Sequence, residues 1–190
     1  VYHPESCSLV TGASDRKVKV WLLGASGEFV NEGTLTGPNA GVVALRLALS
    51  SPAATTLNGA TMTAGYRNGY VKTWRHISTA GAGVNTWEGS ADDAWGVISE
   101  RQLATNAEGF LFADRQTVLW DEAVHVLDNE RGVLVLTYGA HTKKVTCVDF
   151  VPGSATNMLS SSLDKTVRLW DTRTAATGSA GQAVLNGHTA

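Results

Sequence analysis

Four phrases in this chain end on a tryptophan that has an acidic or amide residue six positions before it. They are ASDRKVKVW (13–21), YRNGYVKTW (66–74), FADRQTVLW (112–120) and SSSLDKTVRLW (160–170). The pairs are Asp15 and Trp21, Asn68 and Trp74, Asp114 and Trp120, and Asp164 and Trp170, and the tryptophans stand 53, 46 and 50 residues apart. A period of this size marks one supersecondary unit stacked on copies of itself, which constrains the fold more than any other feature of the 190 residues. Six residues of extended chain span about 20 Å, one strand length. The alternation in KVKVW and TVRLW is that of a strand whose side chains fall on opposite faces.

The flanks repeat in phase. GTLTGPNAGVVAL (33–45), NTWEGSADDAWGVIS (85–99), LTYGAHTKKVTCVDF (136–150) and AVLNGHTA (183–190) each place a short apolar strand before a glycine turn, with a second strand after it in the first three. Proline and turn residues come next, in YHPES (2–6), SSPAA (50–54) and FVPGS (150–154). Each repeat therefore reads as four short strands jointed by Gly, Pro, Asn and Asp. SERQLATNAEG (99–109) is the one stretch with helical periodicity, and its place in the repeat assigns it to a loop and a strand. The expected fold is all-β. Its repeats fall at 1–36 (partial), 37–88, 89–138 and 139–186, with a further one starting at 187–190, all in one domain.

This pattern resembles the WD-repeat β-propeller family, whose blades are four-stranded sheets with Gly-His and Trp-Asp signatures. The repeat at 139–186 carries Gly139, His141, Asp164, Trp170 and Asp171. The others drift: the first has Trp21-Leu22, the second has Pro38 at the His position and Asn68 for Asp, and the third has Ala91 for His but keeps Trp120-Asp121. VYHP aligns with DFVP and the closing NGHTA with a Gly-His opening, so the resemblance implies about four consecutive blades of a larger propeller of seven or eight. It also implies a hydrogen-bonded tetrad of His141, Ser160, Asp164 and Trp170, in which the indole donates to the hydroxyl, the hydroxyl to the imidazole and the imidazole to the carboxylate. Thr11, Asp15 and Trp21 would form a similar partial set. Trp74 and Trp120 lack those partners, and their blades are expected to be looser.

A Ser, a His and an Asp held together also raise the possibility of a hydrolase. Ser160 sits in LSSSL, not in a G-x-S-x-G elbow that would expose its hydroxyl, so the structural reading is preferred and no catalytic residue is assigned. His3, His76, His125 and His188 share no spacing that converges on a metal. Cys7 and Cys147 form no C-x-x-C pair and fall at corresponding places in or near strands, where a buried thiol is common. No phosphate loop occurs, and GAG at 81–83 reads as a hairpin tip. No metal or cofactor is expected. Charged residues make up 17% of the chain and the net charge is −2, which gives no field towards nucleic acid or an anionic membrane. Apolar runs such as GVVALRLAL (41–49) fall short of a membrane span. The cysteine usage and the absence of any N-x-S/T sequon favour a reducing compartment, hence an intracellular setting, cytoplasmic or nuclear.

The expected function is a non-catalytic scaffold that binds other proteins within an assembly. The resemblance implies a rim of residues just before the turn Asp and just before the first strand: Ser14, Arg67, Ala113 and Leu163, with Val42, Ala94 and Lys144. Trp87 and Trp95 could anchor a partner, but their register places them on strands packed between blades. Arg16, Arg67, Arg115 and Lys165 read as solvated turn charges, three of them next to an Asp. DDAWGVIS and VLWDEAVH are similar to one blade of the echinoderm microtubule-associated-protein-like family, which makes microtubules an alternative partner.

Overall fold

The computed structural model describes residues 1–3, 7–50, 56–77, 95–113, 116–128, 133–154, 156–173 and 183–187. Among the sequence expectations, those at Trp87, Ala91, Ala94, Asp114, Arg115 and His188 lie outside these residues. All regular structure among the described residues is β, in four antiparallel sheets of four strands. The chain divides into two units, Val1–Thr105 and Asn106–Ala190, each holding two sheets.

In the first unit, sheet 1 runs β1 (Tyr2–His3), β2 (Ser8–Gly12), β3 (Lys17–Leu23) and β4 (Phe29–Thr36). Sheet 2 runs β5 (Val42–Ala48), β6 (Thr61–Tyr66), β7 (Tyr70–His76) and β8 (Trp95–Gln102). In the second unit, sheet 3 contains β9 (Gly109–Phe112), β10 (Gln116–Trp120), β11 (Val124–Asp128) and β12 (Val133–Tyr138). Sheet 4 contains β13 (Val145–Phe150), β14 (Asn157–Ser162), β15 (Thr166–Asp171) and β16 (Ala183–Asn186). Every sheet is a meander in which each strand pairs with the next in sequence.

Alternation selects the core. In β3, Val18 and Val20 are buried while Lys17 is exposed. They join Val10, Leu35, Met62, Ala64, Tyr66, Trp74 and Trp95 in one apolar cluster. In the second unit Val118, Trp120, Val126 and Tyr138 cluster with Val145, Val148, Met158 and Trp170. Trp74 and Trp95 in the first unit and Trp120 and Trp170 in the second are buried in these clusters, as expected when a sheet is apolar on both faces.

One strand assignment differs from the sequence expectation. The pattern puts Trp95 on the strand after the glycine turn of NTWEGSADDAWGVIS, opening the repeat at 89–138, but β8 pairs with β7 along its whole length and is the fourth strand of sheet 2. Sheet 3 then begins at Gly109, and Trp120 lies on its second strand, not its third. Trp120 pairs with Gly109, and a Cβ at Gly109 would run into the indole. The glycine is the seat of that ring. Trp95 is buried, as a strand position between sheets demands.

Bulges set a second register. Between β5 and β6 the ladder steps from Val42 opposite Tyr66 to Ala44 opposite Gly65; between β13 and β14 it steps from Val145 opposite Ser162 to Cys147 opposite Ser161. Val42, not Val43, is therefore the counterpart of Val145, and Gly41, not Val42, is the counterpart of Lys144.

Candidate functional site

Three hairpins share one turn. Arg16 N–H donates to Ala13 O at 3.3 Å, Gly69 N–H to Tyr66 O at 2.9 Å, and Lys165 N–H to Ser162 O at 3.1 Å. The donor residue in each is left-handed, with φ of 71° at Arg16, 76° at Gly69 and 71° at Lys165. Such a turn followed by a left-handed residue is a common hairpin connection. The preceding side chain locks it by accepting the backbone N–H two residues on: Asp15 from Lys17 at 3.1 Å, Asn68 from Tyr70 at 3.5 Å, Asp164 from Thr166 at 2.9 Å. Asp and Asn make this bond readily, which explains the first half of the six-residue spacing.

Among the described residues, only in sheet 4 does the turn carboxylate also reach inward to a histidine. His141 Nδ1 lies 2.8 Å from Asp164 Oδ2, and His141 Nε2 lies 2.7 Å from Ser160 Oγ. Trp170 Nε1 donates to the same Ser160 Oγ at 2.8 Å. A carboxylate only accepts, so Nδ1 carries the imidazole proton, Nε2 accepts from Ser160, and every hydrogen in the chain has one destination. The Thr166 hydroxyl donates to Asp164 Oδ1 at 2.7 Å and the Thr142 N–H to Oδ2 at 3.1 Å. Burial by itself pushes the Asp164 carboxyl up. The donors Thr166 and His141 and the backbone N–H groups of Thr142 and Thr166 outweigh it and hold the carboxyl well below the usual carboxylate range.

The Trp170 indole lies against the Tyr138 ring at a centroid distance of 4.6 Å, and Tyr138 Oη donates to Asp171 O at 2.9 Å. Asp171 is itself buried and accepts a two-pronged bond from Arg173, Nη2 to Oδ2 at 2.6 Å and Nε to Oδ1 at 3.0 Å. Both Trp-Asp pairs use their Asp alike: Asp121 accepts Ala123 N–H at 2.8 Å and Asp171 accepts Arg173 N–H at 2.9 Å, each turning the chain after its strand.

Sheet 1 assembles part of the set. Trp21 Nε1 donates to Thr11 Oγ1 at 2.9 Å, while Asp15 is engaged with the backbone of its own turn. Sheet 2 puts Ala64 where sheet 4 has Ser160, and Trp74 is buried there among apolar neighbours. Of the rim residues, Leu163 is 56% exposed, Ser14 and Arg67 are exposed, and Lys144 is exposed and holds Glu108 at 2.8 Å. Cys7 and Cys147, expected in buried positions, are both exposed, with no disulfide; Cys7 occupies a turn with φ 48°. Among the described residues no three His, Cys, Asp or Glu side chains group as a metal would need. No helix among the described residues is long and apolar enough to cross a membrane.

Could the Ser-His-Asp line act on a substrate? Ser160 is 1% exposed, and its oxygen already receives the Trp170 proton while giving its own to His141. A nucleophile needs an open face and oxyanion donors beside it. The line instead ties β14, β15 and the segment leading into β13 together.

Four-stranded antiparallel meanders repeating along the chain, with buried tryptophans between them, define blades of the β-propeller type. The comparison with known families agrees: the family model described as WD domain, G-beta repeat, matches residues 1–21 and 132–171. The first matched segment contains the Thr11–Trp21 bond and the second the complete His141–Ser160–Asp164–Trp170 set. No curated protein matches the chain. Repeats of this family generally serve as protein-interaction scaffolds, and the family is typically non-catalytic.

Proposed function

We propose that this chain is a non-catalytic scaffold that binds other proteins through the turns between the second and third strands of its sheets. One observation carries the reading. The Ser160–His141–Asp164 constellation is sealed inward, while the turn built on the same Asp164 presents Leu163 at 56% exposure to solvent. A rigid sheet holding a turn in one shape lowers the ordering cost of binding. Ser14 and Arg67 in the first unit, and Lys144 and Leu163 in the second, are the partner-binding positions in this reading, with Gly41 as the Lys144 counterpart in sheet 2. Exposed thiols at Cys7 and Cys147, with no disulfide, support an intracellular setting.

Chemical cross-linking of the protein to its bound partners, with the linked residues mapped, tests the reading. Cross-links at Lys144 and Lys165 that survive Ser160→Ala support it. Esterase activity that depends on Ser160 opposes it, and co-pelleting with microtubules, abolished by charge reversal at these turns, would assign the partner to the cytoskeleton.

A further inference from the structure

Sheet 1 packs on sheet 2 through two faces of different kinds. Sheet 1 contributes an aliphatic face of Val10, Val18, Val20 and Leu35, all buried. Sheet 2 answers with Met62, Ala64 and Trp74, also buried, and with Lys72, whose Nζ donates to Thr36 O at 3.3 Å. Strand register carries both kinds of face over to other sheets, residue by residue.

In sheet 4, Val167 opposite Leu185 and Leu169 opposite Leu159 stand where sheet 1 has Val18 opposite Leu35 and Val20 opposite Val10, and Asn186 stands where Thr36 stands. The aliphatic face recurs there, but Leu159, Val167 and Leu169 are only partly buried and Leu185 is 56% exposed. In sheet 1, Trp21 opposite Leu9 and Lys19 opposite Thr11 stand where sheet 2 has Trp74 opposite Met62 and Lys72 opposite Ala64. Lys19 Nζ lies 5.5 Å from the Trp21 ring centroid, as Lys72 Nζ does from that of Trp74. This tryptophan face is open as well: Thr11 is exposed, Leu9 and Trp21 are partly buried, and Leu23 and Phe29 continue it as an exposed pair.

We infer that copies of this chain associate head to tail, the aliphatic face of sheet 4 in one copy seated on the tryptophan face of sheet 1 in the next, with Lys19 Nζ donating to Asn186 O across the contact. An apolar sheet face gains by leaving water, and the packing of sheet 1 on sheet 2 shows what each of these two faces accepts. Pairing two tryptophan faces would set Lys19 against Lys19, and pairing two aliphatic faces would leave both tryptophan faces in water. The contact is therefore heterologous, and association runs past two copies unless the rotation between them closes a ring. It uses sheet faces, not the turns of the scaffold reading.

Sedimentation velocity over a range of protein concentrations tests this. The wild type should gain mass as concentration rises. Thr11→Arg puts a long charged side chain where sheet 2 has the buried Ala64, and Leu185→Asp puts a carboxylate on the aliphatic face. Both positions are exposed, so each variant should match the wild type in circular dichroism while running as a monomer. An equal mixture of the two should form a complex of two copies and nothing larger, because each supplies the face that the other lacks. A wild type that is monomeric at every concentration, variants that associate as the wild type does, or a mixture that stays monomeric would overturn the inference. Partner binding at Lys144 and Leu163, which cross-linking reports separately, does not depend on the result.

Discussion

Trp170 and Ser160 stand on adjacent strands, and the indole Nε1 donates to the serine oxygen at 2.8 Å in a buried setting. That bond decides the character of the His141–Asp164 pair behind it. A serine that receives a proton from one side and gives its own to the other is a link in a structural chain.

Removing the end of that chain should be costly. Asp164→Ala leaves the His141 Nδ1–H and the Thr142 N–H without their acceptor, and a buried group so stranded costs about 1 to 3 kcal/mol. Urea unfolding should show a lower midpoint with an unchanged slope.

Acid should act through the same carboxyl. Its folded pKa is depressed, so the unfolded state binds the proton more readily, and the stabilisation is complete above the ordinary carboxylate value of about 4 and is lost as pH falls through the depressed folded value. The stability difference between the wild type and Asp164→Ala should therefore be constant from about pH 7 to 5 and shrink below about pH 4. A difference that widened on acidification would contradict the assigned proton chain.

Much of this was legible in the chain itself, for identifiable reasons. The set of His141, Ser160, Asp164 and Trp170 was legible as what the WD-repeat resemblance implies, because the repeat at 139–186 keeps every one of those residue types in phase. Thr166, which gives Asp164 two further hydrogen bonds, carries no signal beyond standing two residues after it. The Trp95 assignment failed because alternation identifies a strand without saying which strand of a sheet it is. The 18 residues between His76 and Trp95 concealed that β8 still belongs to sheet 2. The rim moved by one residue in sheet 2 because Val42 follows Gly37 by five residues whereas Val145 follows Gly139 by six, a difference that leaves the apolar pattern intact.

Gly69 and Lys165 occupy the same left-handed position in their turns but should respond oppositely to substitution. Relief of the left-handed side chain makes Lys165→Gly neutral or stabilising by up to about 1 kcal/mol. A Cβ at Gly69 would run into the Ala104 carbonyl, so Gly69→Ala should cost about 2 to 3 kcal/mol. Thermal unfolding of the two variants checks the contrast.

Tyr66 is fully buried, and its Oη has no hydrogen-bond partner among the described residues. Burial, with Glu100 adding to it, pushes its phenol pKa upward. Tyr66→Phe removes an uncompensated hydroxyl and should raise stability by about 1 kcal/mol in chemical denaturation, whereas a loss of that size would mean the hydroxyl is satisfied.

Ser160→Ala, assayed side by side for unfolding free energy and for ester hydrolysis, tests the scaffold account most directly. The account predicts a loss of about 1 to 3 kcal/mol, from the stranded Trp170 Nε1–H and His141 Nε2, with no hydrolysis above buffer by either protein. Hydrolysis by the wild type that disappears in a Ser160→Ala protein of undiminished stability would contradict it.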